Sequence, residues 1–228
     1  MVTGGDGSCS DSVNDCDHFV RLRIETIGKS RLLRLKSVQM GCPLDGYLPV
    51  DEFALVSYIS DPLGHFLDLM RLKLAPGCRP HAHVTILPPR PLCGSVESAE
   101  AQIRETASQF HSFQVSLGSV EIFESTDVVY IELDQGSREL SEMHEQLNHG
   151  AVEYAEPYRF HPHITLAQNI SPESVQETLR QARQFWSEWK GSVTFPVEEL
   201  SFVQNTTGKV WLDLMHLRLA NEPAGIIR

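Results

Sequence analysis

Apolar and polar positions alternate strictly in two short stretches, His81-Ala82-His83-Val84-Thr85-Ile86 and His161-Pro162-His163-Ile164-Thr165-Leu166. Period-two alternation rich in β-branched residues predicts a strand in each. Strand side chains point alternately to the two faces. His83 and Thr85 therefore share a face opposite Val84 and Ile86, and His163 and Thr165 share one opposite Ile164 and Leu166. Around the first stretch, Phe53 to Ile59 reads as a buried strand. Asp61-Pro62 reads as an N-cap and first-turn proline for a helix carrying Leu63, Phe66, Leu67, Met70 and Leu74. Pro88-Pro89 is expected to end the strand. A second helix carries Val96, Ala99, Ile103, Ala107 and Phe110, and a strand follows at Phe113, Val115, Leu117, Val120, Ile122 and Phe123.

The order then begins again. Val128 to Leu133 reads as a strand, and Ser137 as the cap of a helix with Leu140, Met143 and Leu147. After the second histidine stretch, Ser171-Pro172 opens a helix carrying Val175, Leu179, Ala182, Trp186 and Trp189 at period 3.6. His83 and His163 stand 80 residues apart, and the same offset carries the six apolar positions from Phe113 to Phe123 onto Val193, Phe195, Val197, Leu200, Phe202 and Val203. All are apolar. The pattern predicts an internal duplication of a β-α-β-α-β unit, with a closing strand at Val210 to Leu217. The expected organisation is an N-terminal extension over 1–48, largely disordered; lobes over about 52–124 and 126–217, within a domain spanning 49–217; and a C-terminal tail over 218–228. The two His/Thr strands are expected to share a cleft near a pseudo-two-fold axis.

Charge narrows the partners. With 19 basic and 30 acidic residues the net charge is −11, which argues against an extended DNA- or RNA-binding surface. A small nucleotide or one RNA end in a locally positive cleft stays compatible, with Arg71, Lys73, Arg79 and Arg90 as the cations that bracket the first motif. The basic, apolar stretch over 19–38 reads as a loosely packed extension, with membrane or RNA tethering as the alternative. Cys9, Cys16, Cys42, Cys78 and Cys93 form no CxxC pair, so neither a zinc site nor a disulfide framework is indicated. No apolar run approaches membrane-helix length and no signal-peptide pattern opens the chain, so a cytoplasmic protein with no membrane partner is expected.

Two neutral imidazoles titrate near pH 6.5. On opposite sides of a phosphodiester, one takes a proton from the attacking hydroxyl or water and the other gives one to the leaving oxygen. Thr85 and Thr165 would donate hydrogen bonds to the non-bridging oxygens. This chemistry requires no metal or other cofactor.

The paired His83-Val84-Thr85-Ile86 and His163-Ile164-Thr165-Leu166 resemble the duplicated His-x-Thr motif of the two-histidine (2H) phosphoesterase superfamily. Over residues 50–217 the chain is similar to the 2′-5′ RNA ligase-like and RNA 2′,3′-cyclic phosphodiesterase branch. The resemblance implies an α+β bilobal fold with a sheet in each lobe, helices outside and a cleft between. It implies substrates that are 2′,3′-cyclic phosphates of RNA ends or small nucleotides, or 2′-5′ linkages, with His83, Thr85, His163 and Thr165 as the catalytic residues. The expected protein is a monomeric cyclic phosphodiesterase that uses no DNA, with 2′-5′ ligation as a related activity.

Other readings stand beside it. His81, His83, His161 and His163 are also the parts of a four-histidine metal site, although no acidic ligand accompanies either motif. A nucleotide- or RNA-end-binding module without turnover would use the same cleft. Tyr130, Tyr158, Phe160 and Trp211 are candidates for stacking on a base, and Arg159 for meeting a phosphate. Trp186 and Trp189 read as core. His18, His65, His111, His144, His149 and His216 read as surface residues.

Overall fold

The predicted strands and helices of both repeat units form, but their last strands change sides. The computed structural model describes residues 18–19, 47–76 and 81–221. The first unit runs β2 (Pro49–Tyr58), α1 (Leu63–Leu74), β3 (His83–Arg90), α2 (Val96–Ala107) and β4 (Phe113–Phe123). The second runs β5 (Val128–Gln135), α3 (Ser137–Leu147), β6 (Ile164–Ala167), α4 (Val175–Glu188) and a strand broken at Glu198 into β7 (Thr194–Val197) and β8 (Glu199–Thr206). A hairpin returns as β9 (Val210–Arg218), and a two-residue strand β1 (His18–Phe19) lies parallel to it.

One sheet has the order β1-β9-β8-β2-β3 and the other β6-β5-β4-β7. β4, from the first unit, therefore joins the second unit's sheet, and β8 joins the first unit's. The lobes are not the sequential halves 52–124 and 126–217 expected from the repeat. The cause is visible in the register: β4 and β7 pair antiparallel, with Val115 opposite Phe195. These two residues are also 80 apart, so they are repeat equivalents facing each other. The pseudo-two-fold axis passes through that pair, and each unit crosses it on its final strand.

The exchange fills the interior positions of both sheets and leaves β3 and β6 at the edges. β3 continues through Pro88 and Pro89 to Arg90, beyond the expected stop. An edge strand needs backbone hydrogen bonds on one side only, so proline is tolerated there. A continuous core joins both lobes. Val84 and Ile86 of β3 and Ile164 and Leu166 of β6 enter it beside Leu67, Met70, Ile103, Leu140, Leu179 and Phe202, all buried. The helices cover the sheets on these apolar faces, and α1 also packs on α4 and β6.

Several boundaries differ from the pattern. Pro62 precedes α1, and Asp61 accepts the His65 amide proton at 3.0 Å. α3 is preceded by Gly136 at φ 88°, where a Cβ would come within 2.6 Å of Val115 Cγ2. Ser137 is thus its first helical residue and caps nothing. α4 starts at Val175, after a turn through Ser171, and Trp189 closes it from outside the helix. Trp186 and Trp189 are half-buried against the core. The expected tail begins later than 218, since Leu219 is buried and the Ser112 amide donates to Ala220 O at 2.7 Å. Of the extension over 1–48, the described residues are 18–19 and 47–48; the stretch 20–38 lies outside them. Among the described residues no helix is long and apolar enough to cross a membrane.

Arg90 ties β3 to the segment leading into β6. It is 2% exposed and ion-paired with Glu156, and it donates to Asn148 Oδ1 (2.8 Å) and Val152 O (3.3 Å). His144 bonds the Ile86 carbonyl through Nδ1 at 2.8 Å and faces the same Glu156 at 3.5 Å. His144 is buried, contrary to its surface reading. Removing one partner of a buried pair strands the other charge, at a typical cost of about 3–5 kcal/mol. Arg90→Met is expected to lose about that much in denaturant unfolding, and Glu156→Gln added to it to restore part. A loss in Arg90→Met no larger than that of an exposed arginine would contradict this role.

Candidate functional site

Both histidine motifs open onto one cleft because both occupy edge strands whose other faces are committed to the core. β3 and β6 come into contact where the sheets meet. His83, Thr85, His163 and Thr165 all line a cleft of about 910 Å³. Their side chains are half-buried, while Val84, Ile86, Ile164 and Leu166 between and beside them are buried. Within the sheets, Tyr58 stands opposite His83 and Val56 opposite Thr85; Tyr130 stands opposite Thr165.

The two imidazoles are held alike. His83 Nδ1 lies 2.7 Å from His81 O, and His163 Nδ1 lies 2.7 Å from His161 O. A carbonyl oxygen accepts, so each Nδ1 carries the proton and each neutral ring keeps its lone pair on Nε2. Burial lowers the His83 pKa to about 3, helped by the Arg71 guanidinium and, less, by the His81 and His163 rings, against the opposing pull of the His81 carbonyl. His163 is lowered as well, chiefly by burial, while the His161 carbonyl and the Glu132 carboxylate act the other way.

The outer histidines diverge. His81 turns to Asp68 (3.6 Å) and packs on Tyr58, lining a separate pocket of about 390 Å³. His161 stays in the cleft, with Nε2 3.0 Å from Glu132 Oε2. Folding thus brings a carboxylate beside each motif although none is near in sequence. The four histidines do not converge, and among the described residues no group of three or more His, Cys, Asp or Glu is placed to hold a metal ion.

The predicted cations separate too. Arg71 lines the cleft and is 4% exposed. Arg90 is taken by Glu156, Lys73 Nζ lies over the Phe185 ring at 4.5 Å, and Arg79 lies outside the described residues. Arg159 is exposed at the rim. Of the aromatic candidates, Tyr158 (63% exposed) and Phe160 line the cleft, the latter stacked on His144 with ring centres 3.8 Å apart. Tyr130 is buried and stacked on Phe123, and Trp211 is buried in a small cluster with Ala54, Val56 and Val203. Neither is available to stack on a base.

Sequence reasoning missed Phe123, Glu132 and Glu156. Phe123 meets the His163 ring edge-on at 5.0 Å. The alternation of Val128 to Leu133 contained a signal for Glu132, since period two sets it with Tyr130 on the face opposite Val129, Ile131 and Leu133. Glu156 carries no such signal, because the segment around it is irregular.

Comparison with known proteins fits this architecture. A family model described as the 2'-5' RNA ligase superfamily matches residues 64–209. Escherichia coli LigT complexed with 3'-AMP aligns with a TM-score of 0.51 at 16% identity, covering 74% of this chain and 98% of that one. LigT complexed with NADP+ gives 0.50 at 17%, covering 76% and 99%. A protein described as a phosphoesterase gives 0.51 at 16%, covering 76% and 100%. At these identities the shared property is the fold. No curated protein matches by sequence. The family model spans well over half the chain and includes both His-x-Thr motifs, so the chain belongs to the 2'-5' RNA ligase superfamily.

Proposed function

We propose that the protein is a metal-independent phosphodiesterase that opens 2′,3′-cyclic phosphates on RNA ends or small nucleotides, with His83, Thr85, His163 and Thr165 as its catalytic residues. The observation that carries this reading is the matched pair of imidazoles on facing edge strands, each with Nδ1 bound to a carbonyl and Nε2 as its acceptor nitrogen. Membership of the 2'-5' RNA ligase superfamily supports it, as does the nucleotide in the LigT complex.

The proposed reaction follows from the asymmetry around the pair. His83, whose protonation the neighbouring Arg71 charge disfavours, acts as base. Its Nε2 takes a proton from water as the water oxygen bonds to phosphorus. The bond from phosphorus to one ribose oxygen breaks, and protonated His163, on the Glu132 side, delivers its proton to that oxygen. The products are a ribose hydroxyl and a phosphate monoester. Thr85 and Thr165 donate to the non-bridging oxygens, whose charge rises in the transition state. With a ribose hydroxyl in place of water, the same transfers form a 2′-5′ link.

Each proton transfer is worth roughly 10²- to 10⁴-fold in rate. His83→Ala and His163→Ala are each expected to lose at least that much hydrolysis of a 2′,3′-cyclic nucleotide, with melting temperature retained and wild-type turnover unaffected by a chelator. Near-normal rates in either variant would defeat the assignment, and saturable binding without product would identify a binding module.

The pH dependence has a definite sign. kcat/KM reports the free protein, which needs His83 neutral and His163 protonated. The acidic limb is set by His83, at about 3. The alkaline limb is set by His163, below its ordinary 6.5. kcat/KM is therefore expected to peak on the acid side of pH 6.5 and fall through neutrality. A bound phosphate anion favours the imidazolium, so the same limb in kcat should lie at higher pH. A kcat/KM that rises from pH 6 to pH 8 would rule out this division of roles.

A further inference from the structure

We propose that Arg71 is a phosphate-binding residue of the cleft, its guanidinium taking a non-bridging oxygen on the His83 side; this rests on the phosphodiesterase reading for its substrate but on independent geometry for its site. Arg71 is on the buried face of α1 beside Leu67 and Met70, is 4% exposed, and lines the cleft. Its Nε has no hydrogen-bond partner. Buried arginines are ordinarily paired, because an isolated buried charge costs several kcal/mol.

The carboxylates beside the motifs and in the cleft face other groups. Asp68, one turn earlier on α1, faces His81 at 3.6 Å and leaves its buried Oδ1 without a hydrogen bond. Glu132 faces His161, and Glu156 is shared by Arg90 and His144. Among the described residues none of them pairs with Arg71. The chain thus spends a carboxylate on Arg90 and leaves Arg71 for an anion from outside. A guanidinium suits this role because its planar fork matches two phosphate oxygens, whereas an ammonium acts as a point charge. Nearness to His83 gives Arg71 a second effect. Its charge helps keep that imidazole unprotonated, until an anion neutralises it.

The test uses the full chain with inorganic phosphate, which reads binding without turnover, and with 2′,3′-cyclic AMP, which reads turnover. Arg71→Met is expected to weaken phosphate binding by roughly 10- to 100-fold, the loss of a charge-assisted hydrogen bond. Arg71→Lys should lose less. By NMR titration the His83 ring should protonate at higher pH in Arg71→Met than in wild type, and near the wild-type pH in Arg71→Lys. A role in packing alone would leave phosphate affinity intact in a folded Arg71→Met, and that result overturns the proposal. If Arg71→Met does not fold, the Arg71 Nε–H resonance of wild type decides: phosphate should shift it, and no shift overturns the proposal. A wild-type protein that binds phosphate through Arg71 yet turns over no cyclic phosphate would refute the proposed reaction and leave the anion site standing. Turnover with undiminished phosphate binding in Arg71→Met would do the reverse.

Discussion

A strand at the edge of a sheet has hydrogen-bonding partners on one side only, and both His-x-Thr motifs depend on being there. The position is created at a distance, by the pairing of Val115 with Phe195. That pair lies on the pseudo-two-fold axis and sends β4 and β8 across it into each other's sheets. Each exchanged strand packs beside the first strand of the other unit, so β3 and β6 are displaced to the margins. Period-two geometry then does the rest, because the apolar residues between the motif residues enter the core and the histidines and threonines face the cleft. A one-residue slip in either strand would invert all of them. Burial of Val84, Ile86, Ile164 and Leu166 thus supports the fold and aims the chemistry at once.

Duplication supplies symmetry, but a reaction with a direction needs it broken. The shared part is the bond from each Nδ1 to the carbonyl two residues earlier. The differing part is what stands alongside. His83 has Tyr58 opposite it and Arg71 near it, whereas His163 has Glu132 and the edge of Phe123. Cation on one side and carboxylate on the other bias the two rings in opposite senses. The proposed division into base and acid follows from that bias, within a frame that otherwise treats the halves alike.

The strands and helices were legible because local pattern determines them. Alternation located β3, β4 and β5, and period 3.6 located α1 to α4, with errors at caps such as Gly136 and Ser174, where backbone conformation decides. The repeat was legible as well, from six apolar positions at one offset. The strand exchange was not, because a duplicated sequence is compatible with units that close on themselves and with units that trade an element. Only the register between β4 and β7 distinguishes these. The inner histidines and the threonines were readable for a related reason: two residues on one strand face require no tertiary knowledge. His81 and His161 were ambiguous, since they precede the regular strands and their directions are set by Asp68 and Glu132, far away in sequence. Arg71 and Arg90 looked equivalent as charges bracketing the first motif, and tertiary pairing alone separates them.

That separation links stability to the cleft. Arg90 and Glu156 form a pair that the interior accepts because both charges are answered, with Asn148, Val152 and His144 taking up further hydrogen-bonding capacity. The pair fixes the segment bearing Tyr154, Tyr158 and Phe160, and hence one wall of the cleft. Arg71 is answered by nothing comparable among the described residues, so its burial carries an electrostatic cost that the surrounding core must offset. An arriving phosphate lowers that cost only in the bound state. Binding energy of this kind is specific to anions, independent of the base, and greatest next to the imidazole proposed to act first. A cleft arranged this way would recognise the phosphate before it distinguishes the nucleotide, and selectivity among nucleotides would fall to the more exposed rim at Tyr158 and Arg159.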